Sequence, residues 1–224
     1  MSIASIGSQE TGKSHFHIQL LKLAFKYNLF QKYHLILPVF NNEQNGSYNF
    51  IPKGNTNIKV YNKYHTMICD FVTKDAMTND TFLFIDDCTG EIGQLSTDDT
   101  FKKLYTRIRH HGGNKLYIGL CMHYTKIIPP VIRANAKFFV LHFMTNYKTI
   151  EDFYDENIRI LYEVKGRTKK NYIEDYEKYV MGNKYGAVMI GKINNIYRMV
   201  TSFNSWKILK FSESNGESVK LTYA

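Results

Sequence analysis

The stretch GSQETGKS, residues 7–14, decides how the rest of the chain is interpreted. It matches the pattern G-x-x-x-x-G-K-[ST] at every fixed position, and loops of this kind bind phosphate through successive backbone N–H groups. Gly7 and Gly12 permit unusual backbone angles, and a helix beginning near Lys13 would direct the positive end of its dipole at the anion. The pattern therefore predicts a phosphate-binding loop.

Each residue of the loop has a predicted role. Lys13 would contact the β- and γ-phosphates of a nucleoside triphosphate, and Ser14 would be a ligand of Mg²⁺. The expected nucleotide-binding set is Gly7, Ser8, Gln9, Glu10, Thr11, Gly12, Lys13 and Ser14. The flanking segments fit, since SIASI (2–6) predicts a strand and residues 13–27 a helix. We expect that helix to bury Phe16, Leu20, Leu23, Ala24 and Tyr27.

A second polar element follows an apolar run. FLFIDD (82–87) ends in Asp86 and Asp87, about seventy residues after the loop. A phosphate-binding loop needs a carboxylate at the end of a neighbouring strand to hold the metal ion, so Asp86 would serve Mg²⁺. Asp87 would polarise an attacking water. The pair predicts an enzyme that hydrolyses a nucleoside triphosphate with the help of Mg²⁺.

Length and composition favour an α/β fold without a membrane span. The chain has 224 residues, of which 44% are hydrophobic, and no apolar run reaches the roughly 18–20 residues that span a bilayer. The first residues lack the features of a secretory signal, so we expect a soluble intracellular protein. Cys69, Cys88 and Cys121 are far apart, which argues against a disulfide or zinc framework and predicts buried thiols.

Apolar runs alternate with helical patterns through most of the chain, which predicts a mostly parallel central sheet flanked by helices. Further strands are expected at 34–40, 57–61, 81–86, 115–123 and 137–143, and helices at 65–77, from Thr97 onward, 150–162 and 168–181. Thr97 would cap its helix, and Thr149 with Asp152 has the spacing of a capping box. Residues 186–192 and 196–202 predict a C-terminal β-hairpin. We expect an ATPase core over 1–150, which residues 151–224 continue as the same domain.

Charge is unevenly distributed along the chain. Residues 1–100 have a net charge of −2 and residues 101–224 one of +11. A surface that faces a polyanion would explain this excess, but so would a solvated lysine-rich surface or the codon bias of an AT-rich genome.

The motifs together resemble the genome-packaging ATPases of double-stranded DNA viruses, within the FtsK–HerA superfamily. The resemblance rests on GSQETGKS, FLFIDD, RHHGG (109–113), IGLCMH (118–123) and IPPVIRANAKFFVL (128–141), in this order, and spans about residues 1–145. It implies a RecA-like (ASCE) P-loop NTPase fold, Mg²⁺-dependent ATP hydrolysis and translocation of double-stranded DNA. It also implies a homo-oligomeric ring (pentamer or hexamer), a viral capsid vertex or capsid protein as partner, and a location in the virion or the viral factory.

The resemblance also assigns residues. Lys13 and Ser14 match the Walker A pair, Asp86 the metal-binding acid and Asp87 the catalytic acid, where the superfamily often has Glu. His123 stands at a sensor position that is commonly Gln. Arg109 and Arg133 match the family's arginines, either of which would be the finger that reaches the nucleotide of the next subunit. From the residues alone, a surface histidine at a strand end is the favoured interpretation of His123. For each arginine, a surface salt bridge is as good an interpretation as a catalytic role.

Three other functions stay open at this point. One is a nucleoside or nucleotide kinase, because P-loop kinases have this size and fold. Another is a different DNA translocase of the FtsK–HerA type. The third is a nucleotide-dependent binding module that assembles capsids without hydrolysis.

Overall fold

The computed structural model describes residues 1–37, 46–87, 92–107, 114–123, 130–163, 166–181, 186–193, 196–200, 208–211 and 218–221. They form two compact units, each built from several stretches of the chain. The first comprises Met1–Ala4, Ser14–Met122 and Ile128–Ala136, and the second Ser5–Lys13, His123–Ile127 and Lys137–Ala224, so far as these ranges are described. A division of the chain near residue 150 stays a prediction.

The first unit is built on parallel strands. These are β1 (Ser2–Ile6, of which the first three residues belong to this unit), β2 (Lys32–Ile36), β3 (Ile58–Tyr61), β4 (Thr81–Ile85) and β5 (Leu116–Met122), in the order β1-β5-β4-β2-β3. The pairs β2–β3, β2–β4 and β4–β5 are parallel. Every residue of β4 and β5 is buried, as expected for parallel strands covered on both faces. Strand β5 thus separates the strand before the loop from the strand before the two acids.

Among the described residues of the first unit, five helices follow the loop, connect these strands or come after β5. They are α1 (Lys13–Lys26), α2 (Thr66–Thr78), α3 (Ile92–Thr97), α4 (Asp99–Arg107) and α5 (Pro130–Asn135). The expected parallel sheet with flanking helices is confirmed. Strand β2 begins two residues earlier than expected, and residues 38–40 of the predicted strand lie outside the described part.

Two sequence expectations for the helices were wrong, the first of them only in part. Phe16 and Ala24 are buried as expected, whereas Leu23 and Tyr27 are 42% and 60% exposed, and His17 and Leu21 are buried. The burial of His17 decides the face, because its Nδ1 lies 3.0 Å from the Tyr117 hydroxyl on β5. Thr97 does not cap α4, since it is the last residue of α3. Asp98 takes that place: its Oδ1 accepts from the N–H groups of residues 100 and 101, at 2.8 and 3.0 Å.

The second unit is antiparallel. It contains β6 (Phe138–His142), β7 (Ala187–Ile193), β8 (Ile196–Val200), β9 (Ile208–Phe211) and β10 (Ser218–Leu221), each paired antiparallel with the next. The predicted C-terminal hairpin is confirmed as β7 and β8, although its turn lies outside the described residues. Strands β9 and β10 were not predicted, because each has only four residues and polar segments surround both.

Helical segments join β6 to β7 in the second unit. They are α6 (Tyr147–Phe153), a π-helical turn (Tyr154–Ile158), α7 (Arg159–Glu163), α8 (Lys169–Tyr176) and a second π-helical turn (Glu177–Met181). The capping box expected at Thr149 was wrong: α6 starts earlier, and the Asn146 side chain accepts from the Lys148 N–H at 2.9 Å. The tyrosines of these segments are mainly structural. Tyr154, Tyr162, Tyr172 and Tyr176 are buried, and their rings contact one another.

Two further expectations concern the cysteines and membrane-spanning helices. Cys69 and Cys121 are buried free thiols, as predicted, and Cys88 lies outside the described residues. Among the described helices, none combines the length and apolarity needed to cross a bilayer.

The packing of α1 on β5 makes Gly119 a sensitive position. A Cβ added there would lie 2.7 Å from His17 Nδ1 and 2.9 Å from the Tyr117 ring. We expect Gly119→Ala to lower the free energy of unfolding by about 2 kcal/mol, because overpacking forces neighbouring groups apart. Gly93→Ala is the matched control: its Cβ would meet nothing within 4 Å, and alanine favours helix α3. Urea unfolding measures both, and equal stabilities of the two variants would contradict this packing.

Candidate functional site

The loop that follows β1 adopts an unusual backbone. Gly12 has a φ of 93°, and Glu10 has one of 57°, a left-handed conformation that non-glycine residues rarely adopt. Gly7 is needed for a different reason from the one expected. An added Cβ would lie 2.7 Å from His142 Cβ and 3.2 Å from Phe143 O, so a side chain has no room there. Gln9 and Glu10 are exposed, whereas Thr11 is buried.

Hydrogen bonds hold the loop to the end of β6. The Ser8 N–H donates to Phe143 O at 2.8 Å, and the Thr145 N–H donates to Ser8 Oγ at 3.3 Å. Thr11 Oγ1 donates to Ser8 O at 2.8 Å and thereby closes the loop on itself. His142 Nδ1 donates to Thr11 O at 3.0 Å. The curvature of the loop is therefore fixed by backbone and side-chain partners of the second unit.

The same end of β6 is attached to helix α8. Tyr176 donates its hydroxyl hydrogen to His142 O at 2.9 Å and accepts from the Met144 N–H at 2.8 Å. The hydroxyl of a buried tyrosine thus satisfies two backbone groups that flank the anchor of the loop.

Lys13 lies across the loop rather than extending into solvent. Its side chain is 95% buried, and Nζ donates to Ser8 O. Nζ also lies 3.3 Å from His123 Nδ1. The structure therefore brings together three residues that the sequence assigned to one site, namely Ser8, Lys13 and His123.

Ser14 and Asp86 meet in the first unit. Ser14, the second residue of α1, donates from Oγ to Asp86 Oδ1 at 2.7 Å. Asp86 directly follows β4, is 4% exposed, and its N–H donates to Ile36 O at 2.9 Å. Two oxygen ligands predicted for one metal ion are thus in contact across 72 residues of sequence.

Asp87 differs sharply from its neighbour. It is exposed, and its φ of 47° is left-handed. Such a backbone costs on the order of 1 kcal/mol in a residue with a Cβ and occurs most often at functional sites. Of the two predicted arginines, Arg109 lies outside the described residues, and Arg133 lies on α5 with its side chain outside the described part.

Tyr48 is a site residue that the sequence analysis missed. It ends a short 3₁₀ turn (Gly46–Tyr48), is 3% exposed, and donates its hydroxyl hydrogen to Asp86 Oδ2. Burial and the Asp86 carboxylate raise the pKa of Tyr48 far above its usual value, so the hydroxyl remains a donor. The stretch NNEQNGSYNF (41–50) that contains it has no hydrophobic periodicity and gave no signal.

His142 was also missed, because it ends a run that reads as an apolar strand. Burial lowers its pKa to about 3; the hydrogen bond to Thr11 O partly opposes this change, and the Lys13 ammonium adds to it. The imidazole is therefore neutral near pH 7, which suits a group that lies behind a loop of predicted anion-binding function.

Comparisons with known proteins were made by sequence and by structure. No model of a known protein family matches the chain, and no curated protein matches it. Solved structures do match. The DNA-packaging ATPase B204 from Sulfolobus turreted icosahedral virus is 10% identical, with a TM-score of 0.62 over 88% of this chain and 95% of B204.

Two further structures extend this similarity. The genome-packaging NTPase B204 from Sulfolobus turreted icosahedral virus 2, solved in complex with AMP, is 14% identical with a TM-score of 0.60, again over 88% of this chain and 95% of that one. The type VII secretion ATPase EccC from Thermomonospora curvata is 9% identical with a TM-score of 0.52, over 90% of this chain and 25% of EccC. At these identities the similarity concerns the fold, and the chain has the P-loop ATPase fold of these proteins.

The depressed pKa of His142 predicts a specific pH dependence. The unfolded chain protonates this imidazole near pH 6.5, and the folded chain only near pH 3. The contribution to stability is therefore complete above pH 6.5 and falls by about 1.4 kcal/mol per pH unit below it. We expect His142→Asn, whose Nδ2 replaces the imidazole Nδ1 as the donor to Thr11 O, to have a flatter dependence of unfolding free energy on pH between 6.5 and 5. Burial also lowers the pKa of His34, but this residue contributes equally to the parent and to the variant. If unfolding free energy depends on pH with the same slope in both proteins, the low pKa of His142 is contradicted.

Proposed function

We propose that this chain is a Mg²⁺-dependent ATPase that translocates double-stranded DNA into a viral capsid. The observation that carries the proposal is the contact between Ser14 of the loop motif and Asp86 at the end of β4, in a chain with the fold of B204. A Mg²⁺-nucleotide site places a loop hydroxyl and a strand-end carboxylate beside the same ion, and the contact between these two groups supports such a site.

The loop would hold the triphosphate. Backbone N–H groups of residues 7–14 would donate to phosphate oxygens, and the first turn of α1 would add its dipole. The Lys13 ammonium, which now contacts Ser8 O and His123, has the charge and reach to contact the β- and γ-phosphates. Structures of B204 from Sulfolobus turreted icosahedral virus 2 in complex with AMP, ATP-gammaS and AMPPCP support a nucleotide as ligand.

Ser14 and Asp86 fit Mg²⁺ by their chemistry. Both present oxygen, the donor that Mg²⁺ prefers, and their side chains are already adjacent. When bound, the ion would neutralise charge on the phosphates. Ser14 would act as a direct ligand, and Asp86 would hold the ion's water ligands.

Hydrolysis needs a base for water, and we assign that role to Asp87. Its exposure leaves the carboxylate accessible to water, and its strained backbone sits directly after the metal-binding acid. His123, within hydrogen-bonding distance of Lys13, would report the γ-phosphate to the end of β5. Arg109 or Arg133 would neutralise transition-state charge on the nucleotide of a neighbouring subunit.

The remaining parts of the proposal concern partners. The chain would act as a homo-oligomeric ring of five or six copies, with double-stranded DNA as its substrate and a capsid vertex or capsid protein as its docking partner. Its place would be the virion or the viral factory. The net charge of +11 over residues 101–224 supports a polyanionic substrate.

A steady-state ATPase assay tests the proposal. We expect Mg²⁺-dependent phosphate release that duplex DNA stimulates at low salt and that added salt suppresses, because contacts to the DNA backbone release counterions. Lys13→Ala should reduce turnover at least about 100-fold, since it removes charge stabilisation of the transferred phosphoryl group. Turnover without any response to DNA would contradict the translocase. Phosphoryl transfer to nucleosides or nucleotides would favour a kinase instead.

The assignment of the base is tested separately. Asp87→Asn retains the size of the side chain but cannot accept a proton, so we expect hydrolysis to fall about 100-fold or more while ATP affinity stays within a few-fold. Glu10→Gln is the control: it removes a carboxylate from another exposed residue with left-handed φ that has no predicted catalytic role. Equal activities of the two variants, measured with saturating ATP, would exclude Asp87 as the base.

A further inference from the structure

Both oxygens of the Asp86 carboxylate accept a hydrogen bond from a hydroxyl group. Ser14 donates to Oδ1 at 2.7 Å, and Tyr48 donates to Oδ2. Asp86 and Tyr48 are 4% and 3% exposed, so water has little access to either partner. The orientation of this carboxylate is therefore set by two side chains, of which only Ser14 belongs to the loop motif.

Tyr48 is held in place by contacts of its own segment. The Asn49 N–H donates to Gly46 O at 3.2 Å, and the Ile51 N–H donates to Tyr48 O at 3.1 Å, which closes a compact turn. The next aromatic residue, Phe50, anchors this turn to α1. Its ring lies 6.1 Å from that of Phe25, and Lys22 Nζ lies 5.0 Å above it.

The anchor matters because α1 is also the helix that carries Ser14. The turn that presents Tyr48 and the hydroxyl of Ser14 are consequently fixed to one rigid element. Asp86 therefore accepts from one donor on α1 and from one donor in a turn that packs against α1.

We propose that Tyr48 is a positioning residue for the carboxylate that binds Mg²⁺. The inference rests on the proposed function, because Asp86 requires a defined orientation only if it serves a metal ion. By occupying Oδ2, Tyr48 restrains rotation of the carboxylate and keeps Oδ1 directed at Ser14. Partners of this kind, which orient a metal-binding carboxylate without touching the ion, commonly change metal affinity by about 10–100-fold when removed.

Tyr48→Phe removes the hydroxyl and retains the ring that fills the site. The matched control is Tyr64→Phe, which removes a hydrogen bond of the same kind from another buried acid of the first unit, Asp98 at the start of α4. Both variants lose a tyrosine–aspartate pair. Only Tyr48→Phe alters an acid that is proposed to bind Mg²⁺.

The experiment measures the affinity for a fluorescent, non-hydrolysable ATP analogue in EDTA and along a Mg²⁺ titration. For Tyr48→Phe, we expect affinity in EDTA within about twofold of the parent and a rise of about 10-fold in the Mg²⁺ concentration that gives half of the affinity gain. For Tyr64→Phe, we expect the Mg²⁺ curve of the parent, with a lower melting temperature. Melting of each variant in EDTA establishes that it is folded.

Three other results would contradict either the role of Tyr48 or the proposed function. If Tyr48→Phe gives the Mg²⁺ curve of the parent, Tyr48 is only structural and the inference is wrong while the proposed function stands. If Tyr48→Phe lowers the affinity for the ATP analogue equally with and without Mg²⁺, the inference is also wrong, because the hydroxyl would then affect nucleotide binding by the loop and not the binding of the metal ion. If the parent itself shows no Mg²⁺-dependent gain, the proposed function has failed first.

A double-mutant cycle with Asp86→Asn gives a second test. It compares the effect of Tyr48→Phe in the parent protein with its effect in a protein that lacks the Asp86 carboxylate. In that background the carboxylate is absent, so adding Tyr48→Phe should change the Mg²⁺ curve no further. An additional shift of about 10-fold in the double variant would show that Tyr48 acts on something other than Asp86.

Discussion

The hydrogen bond from Ser14 to Asp86 is the constraint on which the rest of the site depends. It joins the start of α1 to the residue after β4, whose parallel neighbours β2 and β5 end at the same edge of the sheet. The hydroxyl of Ser14 meets an acid 72 residues later because that acid directly follows β4. The parallel sheet is therefore the means by which distant residues form one arrangement.

The amino-acid sequence predicted those parts of the site whose spacing is local. The loop motif, the helix after it and the acids that end β4 each lie within a short stretch, so their geometry follows from neighbouring residues. Tyr48 and His142 could not be found in this way. Tyr48 reaches Asp86 across 38 residues from a stretch without periodicity, and His142 resembles the apolar residues that precede it. Their roles depend on tertiary contacts that no local pattern encodes.

The secondary structure was likewise predicted well where its signal is local and poorly where tertiary contacts decide it. Long buried runs gave β4 and β5 almost to the residue, whereas helix termini were misplaced where side chains compete for the capping position. At Asp98, a carboxylate that also accepts from Tyr64 caps α4 in preference to Thr97. Similarly, the buried face of α1 is set by the contact of His17 with Tyr117, which a hydrophobic pattern does not register. Phe16 and Ala24 of the expected apolar stripe are buried, and His17 takes a core position beside them.

The attachment of Tyr176 to both sides of Phe143 has a mechanical consequence. The same three residues of chain, 142–144, carry the contacts that hold the loop and those that hold α8. Contacts of the loop at Ser8 and Thr11 and contacts of α8 at Tyr176 converge on this one short segment. The loop and the end of α8 therefore share one attachment point, and a substitution at residues 142–144 would alter the support of both.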